Sequence, residues 1–318
     1  MFDLGLSGRL WPIHCKPYGD EVLSSWLARL SRAYGTNPLR FCAQVWPRHE
    51  VWNRDIDKGT DDDLLRVLSA KTATSRRRVM ATTVRGYRGY RTEDSKVTSG
   101  TPWLLRLGLK GYTHSRPWLQ YCPRCLQADS DPYFRRCWRL AFVVLCPQHH
   151  RRLLDRCGNC DAVINFHCLP GDADTMTQCH SCRCDLRFIQ APTLDASPEN
   201  HRLLKFQTFL LKAMRSWRCR LWGFHSVQSA RFFKVLHKRA QFFLATMHAP
   251  LFREAFSEYL TASLFASHFS SPPPRSIEVL GVEDSLAFML FISWWCDRRP
   301  EGLMHLNSEN DLRSMGRL

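Results

Sequence analysis

Apolar residues recur at helical spacing near both ends of this chain and gather into short solid runs in its middle. From Asp20 to Trp46 one series holds Val22, Leu23, Trp26, Leu27 and Leu30, and a shorter one holds Leu39, Cys42, Ala43 and Trp46. Gly35 stands between them where a left-handed stop is needed, Asn37 where a cap is needed, and Pro38 at a first-turn position. The spacing predicts two helices and a tight turn, an outline shared by helix-turn-helix units and by many other helical hairpins. Thr60 and Asp63 predict a capping-box start for a helix through Leu64, Leu65 and Leu68. From Ser75 to Arg91 the pattern turns basic, with Arg76, Arg77, Arg78, Arg85, Arg88 and Arg91 around Tyr87 and Tyr90. Arg91 to Gly100 reads as a loop.

Further along, Asp131 and Pro132 predict a short helix with Phe134 and Trp138 one turn apart, and Ala141 to Leu145 reads as a buried strand. After a linker containing Pro192, Ser197 and Pro198, helical spacing returns. Ser197 caps a helix with Leu203, Phe206, Leu210, Met214 and Trp217 on one face. Ser226–His248 and Phe252–Phe265 read as two more helices, Ser270–Ser276 as a hinge, and Val282–Cys296 as a last buried helix. The expected fold is mainly α with small β: an N-terminal helix-turn-helix-like domain over 1–118, tandem zinc ribbons over 119–190, and a C-terminal helical domain over 191–318.

Composition narrows the function. The 318 residues carry a formal charge of +16, which favours a polyanionic partner such as nucleic acid. Arginine beside tyrosine suits phosphate contact and base packing, so Arg76, Arg77, Arg78, Arg85, Arg88, Arg135, Arg136 and Arg139 are the candidate nucleic-acid contacts. A solvated basic helix face is the plain alternative. Met1–Leu10 lacks the pattern of a signal peptide, and the apolar-rich run Leu286–Cys296 is too short for a bilayer, so the expectation is a cytoplasmic chain with reduced thiols and no membrane contact.

The fourteen cysteines are not scattered evenly. Four pairs, Cys122–Cys125, Cys146–His149, Cys157–Cys160 and Cys179–Cys182, each enclose two residues; twenty residues separate the first pair from the second and eighteen the third from the fourth. A two-residue gap lets both ligands of a turn face one ion, so the series predicts two structural Zn2+ sites. Sequential pairing puts Cys122, Cys125, Cys146 and His149 in one site and Cys157, Cys160, Cys179 and Cys182 in the other; a cross-brace would interleave them. His150 and Cys184 are competing ligands. Cys15, Cys42, Cys137, Cys168, Cys219 and Cys296 read as packed thiols. Four protein ligands per site leave no open position for chemistry, and there is no HExxH, deaminase, Walker A or Rossmann pattern. The chain is therefore expected to have no catalytic residues.

Two blocks carry a family resemblance. Leu10-Trp11-Pro12-Ile13, with Asp20-Glu21 and Ser25-Trp26-Leu27-Ala28-Arg29-Leu30 before Gly35, resembles the amino-terminal signature of the TniQ family. Tyr121-Cys122-Pro123 with Cys125-Leu126, Pro132 to Leu140, Cys146 with His149, and Leu153-Leu154 before Cys157 and Cys160 are similar to that family's zinc region. Asp161 and Arg183 depart from it, standing where such turns commonly have glycine. The resemblance implies a target-selection factor of DNA transposition, as for the related TnsD proteins. It implies partners as well: an AAA+ ATPase regulator, transposase machinery, and DNA or, in CRISPR-associated transposons, an RNA-guided Cascade complex, bound in places as a homodimer. A zinc-ribbon transcription regulator is the rival reading, and a metal-dependent nuclease a more distant one.

Overall fold

The computed structural model describes residues 6–47, 50–90, 101–110, 113–171, 173, 175–220, 226–247 and 276–298. The expected loop at 91–100, the helix Phe252–Phe265 and the hinge up to residue 275 lie outside them. The described residues are mainly helical, with two small antiparallel hairpins.

The first helix, α1 (Leu23–Ala33), is almost entirely buried, and α2 (Pro38–Val45) follows after Gly35, whose φ is +64°. Asn37 accepts a hydrogen bond from the Arg40 N–H at 2.8 Å, with Pro38 at the first helical position. The next helix, α3 (Asp62–Lys71), is capped by Asp61, which accepts from the Leu64 N–H, and not by Thr60; the carboxylate one residue later outcompetes the hydroxyl. Ser75 caps α4 (Arg76–Ala81), which is only six residues long. Beyond it the chain breaks into 3-10 turns at Val84–Gly86 and Arg88–Tyr90, where Gly89 lies against Met214 and Phe233. A minimal hairpin, β1 (Leu109–Lys110) and β2 (Thr113–His114), precedes α5 (Pro123–Ala128).

Two expectations for the middle of the chain fail. The helix foreseen after Asp131 is a single 3-10 turn, Arg136–Arg139, because the preceding backbone is spent bridging to the N-terminal part: Glu21 pairs with Arg135, and the Val22 N–H donates to Phe134 O at 3.0 Å. Ala141–Leu145 is wholly buried, yet it forms no strand. Leu145 makes one isolated bridge to Arg152, and a further partner is a side chain. Gln207 Oε1 accepts from the Val144 and Leu145 N–H groups at 2.9 and 3.0 Å, and Gln207 Nε2 returns a bond to Leu145 O at 2.9 Å. One buried amide thus satisfies backbone groups that a second neighbouring strand would otherwise take.

Gln207 lies on α6 (Pro198–Arg215), capped by Ser197. Leu203, Phe206, Leu210 and Met214 face inward as their spacing requires. Trp217 does not: it falls past the helix end and is 50% exposed. The hairpin β3 (Arg218–Arg220) and β4 (Ser226–Gln228) leads to α7 (Ser229–Thr246), so the expected helix at Ser226 begins three residues late, its start given to strand pairing. The last helix, α8 (Val282–Arg298), packs against α6. Its Val282 N–H donates to Asp155 Oδ2 at 2.8 Å, so the central region caps a C-terminal helix.

One hydrophobic core runs through all of this, from Trp11 and Trp26 through Phe134 and Phe142 to Phe233 and Trp295. Its polar pin is Arg139, fully buried, which donates to Asp55 at 2.9 and 3.0 Å, to Asp57 at 2.6 Å and to Leu105 O. Asp57 also accepts from the Ser24 N–H and hydroxyl, so a single ion-pair cluster joins the start of α1 to the centre. Among the described residues no helix is long and apolar enough to cross a membrane.

Candidate metal centres

Four local turns bring the ligands together. Cys122 is the N-cap residue of α5 and Cys125 lies in its first turn, so that pair is displayed by a helix. The other three pairs ride on one repeated turn. The N–H of His150 donates to Cys146 O, that of Asp161 to Cys157 O and that of Arg183 to Cys179 O, at 2.9, 2.9 and 3.0 Å. Each leading cysteine then donates its own N–H to the following carbonyl, of Arg151, Ala162 and Cys184, at 2.8, 2.9 and 2.8 Å. To close the turn, His150, Asp161 and Arg183 take φ values of 49°, 58° and 65°, the left-handed region that favours glycine.

The result is two clusters, Cys122, Cys125, Cys146 and His149, and Cys157, Cys160, Cys179 and Cys182, whose donor atoms all lie within 4.8 Å of one another in each. Pairing follows sequence order and is not interleaved. In the first, Cys125 Sγ is 3.5 Å from Cys146 Sγ and 3.3 Å from His149 Nδ1, and Cys122 and Cys146 Sγ are each 3.6 Å from that nitrogen. In the second, Cys157–Cys182 and Cys160–Cys179 sulfur pairs stand at 3.7 and 3.6 Å. A tetrahedral ion about 2.3 Å from each sulfur would hold them about 3.8 Å apart. The donor sets fit a soft, tetrahedral divalent ion, and each could hold one. His150 is exposed, Cys184 offers its carbonyl to the turn, and neither side chain joins a cluster.

The crowded thiols share protons unevenly. Hydrogen bonds from Cys122 and Cys125 hold Cys146 down to about 2, while Cys125 is pushed up by its contacts with Cys122 and Cys146. Asn159 helps to hold Cys182 down to about 6. A thiolate is the form that binds metal, so a bound cation would displace the protons these thiols hold. Burial has the opposite effect on Cys42 and Cys137, both pushed up to about 12 and far from thiolate character.

The candidate nucleic-acid arginines divide sharply. Arg76, Arg77, Arg78, Arg85 and Arg88 are exposed. Arg78 donates to Pro17 O at 2.6 Å, and Arg85 pairs with the exposed Asp62 at 3.1 Å. Arg139 belongs to the core, and Arg135 is buried in a two-bond pair with Asp129 at 2.6 and 2.8 Å, beside the rings of Tyr133 and Trp138. Arg136 is half-buried, its guanidinium 3.9 Å from the Tyr87 ring centroid. Arg135 and Arg139 therefore do not face solvent; Asp129, six residues before Arg135, and the sequence-distant Asp55 and Asp57 draw them in. Tyr87 and Tyr90 are buried too and present no face to a base. Sequence reasoning missed the exposed Trp217, whose ring lies 5.7 Å from the Arg88 guanidinium, because it assigned that residue to a buried helix face. It also missed Arg124, Arg151, Arg187 and Phe188, which converge from separate segments on one cleft.

Residues 12–153 match the family model described as TniQ. No curated protein matches the chain.

Proposed function

We propose that this TniQ-family chain is a non-enzymatic adaptor of DNA transposition. It would link a selected target, DNA or an RNA-guided Cascade complex, to the AAA+ ATPase that regulates the transposase. The family match over residues 12–153 carries the reading.

The physical chemistry supports a scaffold. Cys122, Cys125, Cys146 and His149 would hold one zinc ion, and Cys157, Cys160, Cys179 and Cys182 a second. Bound zinc would neutralise thiolates and cross-link turns; with four protein donors at each ion, no position is left for a substrate. Its binding energy is then folding energy for the central region. On the N-terminal side, α2 buries Pro38, Phe41 and Cys42 and leaves Arg40 and Gln44 exposed one helical turn apart, an arrangement that suits a second helix of a helix-turn-helix. Arg76, Arg77, Arg78, Arg85 and Arg88 supply further accessible positive charge.

Reconstitution tests the proposal. The full chain, an AAA+ transposition ATPase and its transposase should direct insertion to a defined target, and omitting the chain should abolish that targeting. Unchanged targeting without the chain overturns the adaptor reading. A promoter footprint with no ATPase association would favour a transcription regulator instead.

A further inference from the structure

The two metal modules meet at a cleft of about 610 Å³ that neither ligand set uses. One wall is α5, and the other runs from the 3-10 turn Leu186–Phe188 to Thr193, with α5 packed against that turn. The second wall is held at two points. Arg151 pairs with Thr193 in an antiparallel bridge and reaches Ala191 O at 3.4 Å. Gly158, in the second module, lies so close to Ile189 that an added Cβ would come within 2.6 Å of its Cγ2.

The lining is specific in kind. Arg124 and Arg151 are ion-paired to no described carboxylate, whereas Arg187 pairs with Asp185 at 2.6 Å. Gln127 and Gln190 add two amides, and Arg124 lies 3.4 Å from Gln127 Oε1. Phe188 is 67% exposed, more than any other large apolar side chain described, and the Arg187 guanidinium sits 5.6 Å from its ring centroid. A phenyl ring left in water at the edge of a basic, amide-lined cleft is the composition of a stacking platform.

We infer that this cleft binds single-stranded nucleic acid. Phe188 would stack an unpaired base, Arg124 and Arg151 would contact flanking phosphates, and Gln127 and Gln190 would meet base edges. A duplex keeps its base faces stacked inside and offers the ring nothing. An acidic peptide would answer the arginines alone. The inference is independent of ATPase recruitment, because it is measured on the chain by itself.

The experiment is fluorescence anisotropy on the full chain. The probes are a labelled DNA strand of about 15 nucleotides, within the range of single-strand site sizes, its duplex, and a labelled polyglutamate peptide. Phe188→Ala should weaken single-strand binding about 5- to 100-fold and leave duplex binding unchanged, and Phe188→Trp should restore it. The pair Arg124→Gln and Arg151→Gln should flatten the slope of log affinity against log salt by about 1.4, or 0.7 per phosphate contact. Metal content and thermal unfolding of each variant establish that the fold is kept. Single-strand affinity indifferent to both sets of variants overturns the inference. So does equal loss on the duplex, or loss confined to polyglutamate. Any of these would leave the adaptor proposal standing.

Discussion

The two cysteine clusters offer similar chemistry but differ in how far each is enclosed. Around the first, Cys122 and Cys146 are fully buried, as are their chain neighbours Tyr121 and Leu145, and Tyr121 exchanges backbone bonds with Leu154 at 2.7 and 2.9 Å. The second sits at an edge, with Cys160 exposed and Cys182 half-buried. The first cluster combines a helix with a turn, whereas the second is built from the same turn twice. Ligand spacing is thus common to both, while enclosure is not: the first cluster has all three of its cysteines in the core, and the second has Cys157 and Cys179 there but turns Cys160 to solvent and braces the segment that carries Phe188.

The sharpest way to break that contrast is to remove a ligand from each. Cys146→Ser should abolish cooperative unfolding, because zinc in such sites contributes about 10–16 kcal/mol, as much as a whole domain's stability of about 5–15 kcal/mol. Cys182→Ser should lose one equivalent of metal and keep a cooperative transition. Metal analysis with thermal circular dichroism reads both, and equal collapse would erase the distinction. Next in size, Arg139→Met should cost about 3–5 kcal/mol by stranding two carboxylates in the core, against less than about 0.5 kcal/mol for the exposed Arg85→Met; urea titration separates them. Gln207→Leu should cost about 1–3 kcal/mol by leaving backbone groups of Val144 and Leu145 without partners. The smallest effect has the opposite sign. Arg183→Gly relieves a left-handed residue, so the second cluster should gain about 1 kcal/mol and release metal to a chelator more slowly.

What could be read from the sequence was what is local. Ligand pairs two residues apart, the Asn37–Pro38 start of α2 and the Ser197 cap of α6 are decided within a turn, and the structure has each of them. The need for left-handed backbone at Asp161 and Arg183 was local in the same way. What escaped depended on partners beyond the local turn. Arg135 and Arg139 look like Arg88 in one dimension; Asp129, Asp55 and Asp57 make them different. The run Ala141–Leu145 has a strand's composition, and Gln207, some sixty positions later, takes the N–H groups that a further strand would have bonded. The cleft could not be foreseen for the same reason, since its walls join through Arg151 and Thr193.

The single imidazole among the donors carries a consequence of its own. With a divalent cation and deprotonated sulfurs, three thiolates and His149 sum to a net charge of minus one, and four thiolates to minus two. The less charged assembly is the one enclosed by Tyr121 and Leu145, and the more charged one borders water at Cys160. Enclosing excess charge is costly where solvent cannot screen it. His149→Cys would therefore deepen the anion in the place least able to tolerate it, whereas Cys160→His would remove charge where water already screens it.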